Sequence, residues 1–220
     1  RYDGRMIAVT SATGNIGLPL VRMLREARAP LRVLARDPAR ARELIGPEVE
    51  IVDAASPAAL AGARAAFFLA HAGPGLGDAA AAFARAAKAA GVAHVVAISS
   101  GTIHLQPQVA IGGWHLALEQ AIAASGVGWT FLRPGNFASN ALRWAGSIRA
   151  RGTVFAAHPD APSAPIDPFD IAAVAAAALL APGHEGKTYT LDGPARMSAR
   201  EQVAVIGAAI GKPLTVVEAS

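Results

Sequence analysis

Short apolar runs alternate along this chain with longer stretches in which alanine, leucine and arginine recur at helical spacing. The runs Met6 to Thr10, Leu31 to Ala35, Val49 to Val52, Ala65 to Ala70, His94 to Ser99 and Gly128 to Leu132 read as strands buried on both faces. Between them, Asn15 to Ala29, Pro38 to Ile45, Pro57 to Ala61, Asp78 to Ala90 and Trp114 to Ala124 read as helices. Asp78 is the expected N-cap of its helix, Gly91 its C-terminal stop, and Ser125-Gly126 the close of the next. Strand-helix alternation of this kind predicts an α/β fold, a doubly wound parallel sheet whose ligands lie at the carboxyl ends of the strands.

Beyond Leu132 the pattern loosens. A helix to about Ala150 is expected, then a strand Thr153 to Ala156 and a proline-rich stretch Pro159 to Pro168. A helix Asp170 to Leu180 capped by Asp170, a strand Lys187 to Leu191, a helix Ala199 to Ile210 and a strand Leu214 to Glu218 follow. The 220 residues suit a single Rossmann domain, with 134–168 and 192–220 supplying a small substrate-side region.

Composition narrows the class. The chain is 53% hydrophobic and 16% charged, which argues against disorder. Its longest apolar stretch, Ile171 to Pro182, is too short for the roughly 20 residues of a membrane-crossing helix. Cysteine is absent, which excludes disulfides and thiolate chemistry, and no charged-then-apolar leader is evident; a cytoplasmic protein is expected. The first residue is Arg1 instead of Met, so the ends carry no weight. The net charge of +4 comes from scattered arginines, not from a basic run interleaved with aromatics, so nucleic acid is not an expected partner. No His and carboxylate set has metal-ligand spacing, and no metal is expected.

The first run leads into Thr10-Ser11-Ala12-Thr13-Gly14-Asn15-Ile16-Gly17, a glycine turn opening a helix. Gly14 allows close approach of a pyrophosphate, Gly17 allows the helix to pack, and the helix N-terminus favours anions. Ser11 stands where the first glycine is usual, so either binding is weakened or its hydroxyl reaches the phosphates. Arg36 ends the second run, where NAD-specific folds carry an acid; an arginine there favours the 2′-phosphate, hence NADP(H) over NAD(H). Arg32, Arg36 and Arg40 could equally form a solvated face, and of the three only Arg36, at the strand end, is assigned to the ligand. Asp53 is placed to accept from the adenine amine or to cap a helix near Ser56.

From the first strand to at least Leu191 the chain resembles the NmrA-like atypical short-chain dehydrogenases/reductases. The carriers are Ser11 to Gly17, Arg36-Asp37-Pro38, His115 to Gln120, and Ser125 to Phe137. The resemblance implies a Rossmann core with a C-terminal substrate cap and a membership that includes both reductases and regulators without turnover. Dehydrogenases of the wider group use a tyrosine and, four residues on, a lysine. Aligned on Glu119, those positions hold Ile111 and His115, and the remaining tyrosines, Tyr2 and Tyr189, lie off that helix.

Candidate chemistry is therefore displaced. His115 reads equally as an acid or ribose ligand and as a packed or capping histidine, with Glu119 one turn on able to orient or charge it. Ser99, Ser100 and Thr102 lie where the group's catalytic serine sits; Ser100 is the candidate to hold a substrate carbonyl. His104 is a secondary acid candidate, and His71 a loop residue beside the cofactor. Pro134, Asn136 and Phe137 are expected at the nicotinamide end, with Ile111, Trp114, Phe137 and Phe155 as an apolar substrate wall; Trp144 reads as core. The expected function is NADPH-dependent reduction of a small apolar or aromatic carbonyl, quinone or imine. A non-catalytic NAD(P) sensor acting through a protein partner, a homodimer, and an isomerase or cyclase on the same fold stay open.

Overall fold

The computed structural model describes residues 6–104 and 109–219. Tyr2 lies outside them. Seven strands form one sheet: β1 (Met6–Thr10), β2 (Leu31–Ala35), β3 (Glu50–Asp53), β4 (Ala63–Phe68), β5 (His94–Ile98), β6 (Gly128–Pro134) and β8 (Lys187–Leu191). Their order is β3-β2-β1-β4-β5-β6-β8 and every pairing is parallel. The order reverses between β1 and β4, which places a crevice at the carboxyl ends of those strands.

Burial on both faces explains the apolar runs. Alternate strand residues, among them Ala8, Ala66, Val95 and Phe131, join Leu76, Ala80, Ala84, Leu118 and Ile122 in one core. These helical residues belong to α3 (Leu76–Ala89) and α4 (Ala110–Ala124). On the other face, α1 (Gly17–Glu26) packs against α6 (Pro168–Leu180). Leu20, Leu24 and Ile171 are wholly buried there. Each large aliphatic so buried contributes about 1.5–3 kcal/mol. Helix α2 (Pro38–Ile45) starts on Asp37, whose carboxylate accepts from the Arg40 amide at 3.0 Å.

Several expectations are corrected. Pro57 to Ala61 is not a helix but a chain of turns joining β3 to β4. Its carbonyls are drawn away: the Arg32 guanidinium donates to Ala59 O at 3.3 Å and Ala61 O at 2.6 Å. Arg32 also pairs with Glu50 at 2.9 Å, so it staples the edge and is not a solvated group. Asp78 is not an N-cap; α3 starts after Gly75, and Asp78 sits in the first turn, where a negative charge favours the helix dipole. Asp170 likewise lies inside the first turn of α6, because Pro168, with its φ preset for a helix, begins it.

The described residues of Arg1–Pro134 and Pro168–Leu191 make one compact unit, and those of Gly135–Asp167 and Asp192–Ser220 a second. In the second, β7 (Thr153–Ala156) pairs in parallel with β9 (Thr215–Glu218). A 3₁₀ segment Ala138–Trp144 and helix α5 (Ala145–Arg151) replace the single helix expected before β7. Helix α7 (Ala199–Ile210) carries a capping box in which Ser198 and Glu201 satisfy each other's amides. Among the described residues no helix is long and apolar enough to cross a membrane.

At the amino end of the sheet His94 is buried and bonded to Thr130 Oγ1 at 2.8 Å. Thr130 spends its own hydrogen on His184 O, so His94 Nε2–H is the donor. Burial, aided by the nearby His184 and opposed by Glu185, holds His94 below the usual histidine value. A depressed folded value means the unfolded chain takes the proton more readily, so this stabilisation is complete above the ordinary value and is lost as pH falls through it. Thermal melts are expected to show Tm falling on acidification below about pH 6.5, with a flatter profile in His94→Gln.

Candidate functional site

The turn after β1 is tied to the loop after β4. Thr10 Oγ1 accepts from the Leu69 amide at 2.9 Å, and Ser11 Oγ donates to Leu69 O at 2.7 Å. The Ser11 hydroxyl is thus engaged by the loop after β4. Ser11 adopts φ +50°, the left-handed conformation that glycine usually takes, so the serine keeps the glycine's geometry and adds a tether. Helix α1 then begins on Ile16 with no side-chain cap.

This turn opens into a groove of 1440 Å³ lined by Ser11, Thr13, Gly14, Arg36, Arg40 and His71, and further on by Phe68 and Phe83. The two rings meet at 4.6 Å. Arg36 and Arg40 bring guanidinium groups that have no acceptor among the described residues, in contrast to Arg32 beside them. Arg40, read from sequence as solvated, is the groove residue that reading missed; its place one turn into α2, on the side of Arg36, was the available signal. Asp53 does not line the groove: its carboxylate accepts from the Ala55 amide at 2.8 Å, which holds the turn after β3.

A second group of side chains gathers at the carboxyl ends of β5 and β6. Ser99 is buried and donates to Glu119 Oε1 at 2.5 Å. Arg133 grips the same carboxylate with Nε at 2.8 Å and a terminal nitrogen at 2.6 Å. Those bonds push the Arg133 guanidinium above its ordinary value. Its other terminal nitrogen donates to His104 Nε2 at 3.1 Å. Glu119 therefore does not orient His115, as the one-turn spacing had implied; the buried His115 donates from Nδ1 to Ile111 O at 2.8 Å within its own helix. Three donors compete better for a buried carboxylate than one imidazole does.

Ser100 Oγ lies 2.8 Å from Thr102 Oγ1 and accepts the Thr102 amide at 3.2 Å, inside the turn that follows β5. Pro134 is buried at the end of β6. In the second unit, Asn136 Oδ1 accepts from Asn140 at 2.8 Å and Phe137 bridges to Ile166. Ile111 is 38% exposed and Phe155, on β7, 46%. Trp114 is half-buried against the core of α3 and α4, which is packing, not an open wall. Tyr189 lies on β8 with its hydroxyl 2.8 Å from His184 Nδ1. No described tyrosine stands on α4. Among the described residues no three His, Asp or Glu side chains gather as a metal site requires.

Residues 11–182 match the sequence pattern of a family described as NAD(P)H-binding. The chain belongs to this family. It is 42% identical over 217 residues to a (4-alkanoyl-5-oxo-2,5-dihydrofuran-3-yl)methyl phosphate reductase of Streptomyces griseus, covering 95% of the chain and 75% of that protein. An NAD(P)H azoreductase of Xenophilus azovorans is 38% identical, over 95% and 75% of the two chains. Among solved structures, an NADPH-dependent quinone oxidoreductase of Escherichia coli complexed with NADPH superposes with TM-score 0.86 at 28% identity, covering 98% of this chain and 79% of that one. The NmrA-like resemblance and the doubly wound fold are borne out by these matches. Helix α4 carries neither a tyrosine nor a lysine.

Proposed function

We propose that the chain is an NADPH-dependent reductase of small conjugated acceptors such as quinones, azo compounds or enones. The observation that carries this reading is the pair Arg36 and Arg40, two guanidinium groups without an acceptor among the described residues, on the wall of a groove that begins at the glycine turn. A dianionic 2′-phosphate is what such a pair recognises, and the diol of NADH is not. Relatives whose names specify an unsaturated ketone, an azo bond and a quinone support the acceptor class.

NADPH, when bound, supplies the hydride. The protein's share is orientation. Ser100 and Thr102 share one hydrogen bond between two hydroxyls, so one O–H is always left to donate to the acceptor's oxygen or nitrogen. His115, whose Nδ1 donates to Ile111 O, has Nε2 left to meet a ribose hydroxyl. The proton that completes the two-electron reduction then comes from water. A conjugated acceptor tolerates this, because its reduced form spreads the negative charge over several atoms.

Oxidation of NADPH, followed by absorbance with a panel of quinones, azo dyes and enones, tests the proposal. Turnover with at least one class, faster with NADPH than with NADH, is expected. Tight NADPH binding with no oxidation by any acceptor would favour the sensor reading, which the absent tyrosine and lysine also fit.

A further inference from the structure

We propose that Glu119 and Arg133 are positioning residues that act through Ser99 and His104 to hold the turn carrying Ser100 and Thr102, and that the hold lasts only while His104 is neutral; this rests on the reductase reading, in which that hydroxyl pair receives the acceptor.

The segment from Ser99 to His104 is attached at both ends to one charge pair. At its start Ser99 donates to Glu119, and the Ser99 amide donates to Leu132 O at 2.7 Å. At its end, the 3₁₀ turn Gly101–His104 is held by Arg133 through His104. Glu119 and Arg133 are bound to each other through both carboxylate oxygens and two guanidinium nitrogens. A planar guanidinium fixed along one edge has no freedom in where its remaining nitrogen points. That nitrogen points at His104. The Ser100 and Thr102 hydroxyls lie between the two anchors, at the carboxyl end of β5, where a doubly wound sheet presents its ligands.

The same arrangement explains why the serine position divides its labour. Ser99 is buried and its hydroxyl is committed to Glu119, so it cannot also hold a substrate. Ser100 and Thr102 are half-buried and, among the described residues, one of their two O–H groups has no acceptor.

His104 Nε2 accepts from Arg133 only when its proton is on Nδ1 and the ring is uncharged. A protonated ring would aim N–H at N–H and set cation against cation. The elements packed against this turn are α4, which brings Glu119 and His115, and β6, which brings Arg133. Glu119 is already neutralised by Arg133, and the turn itself carries no other ionisable side chain. Protonation of His104 therefore frees the end of the turn, and the hydroxyl pair loses its alignment.

Two measurements test this. Nitrogen-15 NMR of the histidines in the full chain, without acceptor, should show His104 as the Nδ1–H tautomer, and Arg133→Lys should abolish that preference. An Nε2–H tautomer in the parent protein would overturn the proposal whatever the activity. In turnover, His104→Ala should lower kcat about tenfold, with the KM for NADPH within about twofold, as expected of a small misplacement. His104→Gln, which accepts through Oε1 without titrating, should recover most of that loss and remove the acid limb of the kcat profile. Retention of the limb in His104→Gln would also overturn the proposal. Failure of every acceptor to oxidise NADPH counts instead against the reductase reading, and the tautomer measurement still decides the positioning.

Discussion

Arg36→Ala is expected to weaken NADPH binding about 30-fold while NADH binding stays within about twofold, because a charge-assisted hydrogen bond is worth about 2 kcal/mol. The expectation follows from what Arg36 lacks. Arg32 and Arg133 are both held by protein acceptors, whereas Arg36 and Arg40 line the groove without one among the described residues. A cation left this way at the end of β2 stands where the ribose of a dinucleotide meets the sheet. Arg40→Ala should lower NADPH affinity by less. Fluorescence titration with both nucleotides measures each effect; equal losses for NADPH and NADH, or none, would remove Arg36 from the 2′-phosphate.

The second large effect is on the turn itself. A Cβ added at Gly17 would stand 2.1 Å from Ser11 O and 2.6 Å from Ala12 Cα, both backbone atoms that no rotamer change can move. Gly17→Ala should therefore cost about 3 kcal/mol of stability through overpacking, which for a chain of this size lowers Tm by about 10 °C. At Gly14 the added Cβ would meet only Ser11 O, at 3.4 Å. Gly14→Ala should melt within about 2 °C of the parent yet bind NADPH poorly, because its methyl group occupies the space that a phosphate needs. Thermal melts and nucleotide titration of the two variants separate a glycine that packs the fold from one that admits the ligand. Equal melting temperatures for both would contradict the assignment.

The fold was legible where local chemistry agrees with the whole. Met6–Thr10 and Leu31–Ala35 read as strands and are strands, because apolar residues buried on both faces leave few alternatives. Asp37 and Pro38 set the start of α2 as capping rules require. Misreadings fell where a distant side chain intervenes. Nothing near Pro57 to Ala61 announces that Arg32, on another strand, takes the carbonyls a helix would need. The starts of α3 and α6 were misplaced because Asp78 and Asp170 suit a first turn as well as a cap.

The site divides in the same way. Its proposed nucleotide half is written in one contiguous turn, Ser11 to Gly17, and in Arg36 at the end of the next strand. Its other half is not. Ser99, Glu119 and Arg133 meet only when β5, α4 and β6 are assembled, and periodicity gave Glu119 to His115 because helical neighbours were all it could compare. Ser11 shows a subtler limit: its positive φ and its bond to Leu69 let it serve as the missing glycine, which residue type alone argues against.

The groove is proposed to hold NADPH for hydride transfer, although α4 carries neither tyrosine nor lysine. NADPH deuterated at the transferable position of the nicotinamide ring tests it most directly, with mass spectrometry of the reduced acceptor after one turnover. One deuterium bound to carbon is expected in the product of an enone acceptor. A product without the label, or labelled NADPH recovered unchanged from a stable complex, would contradict it.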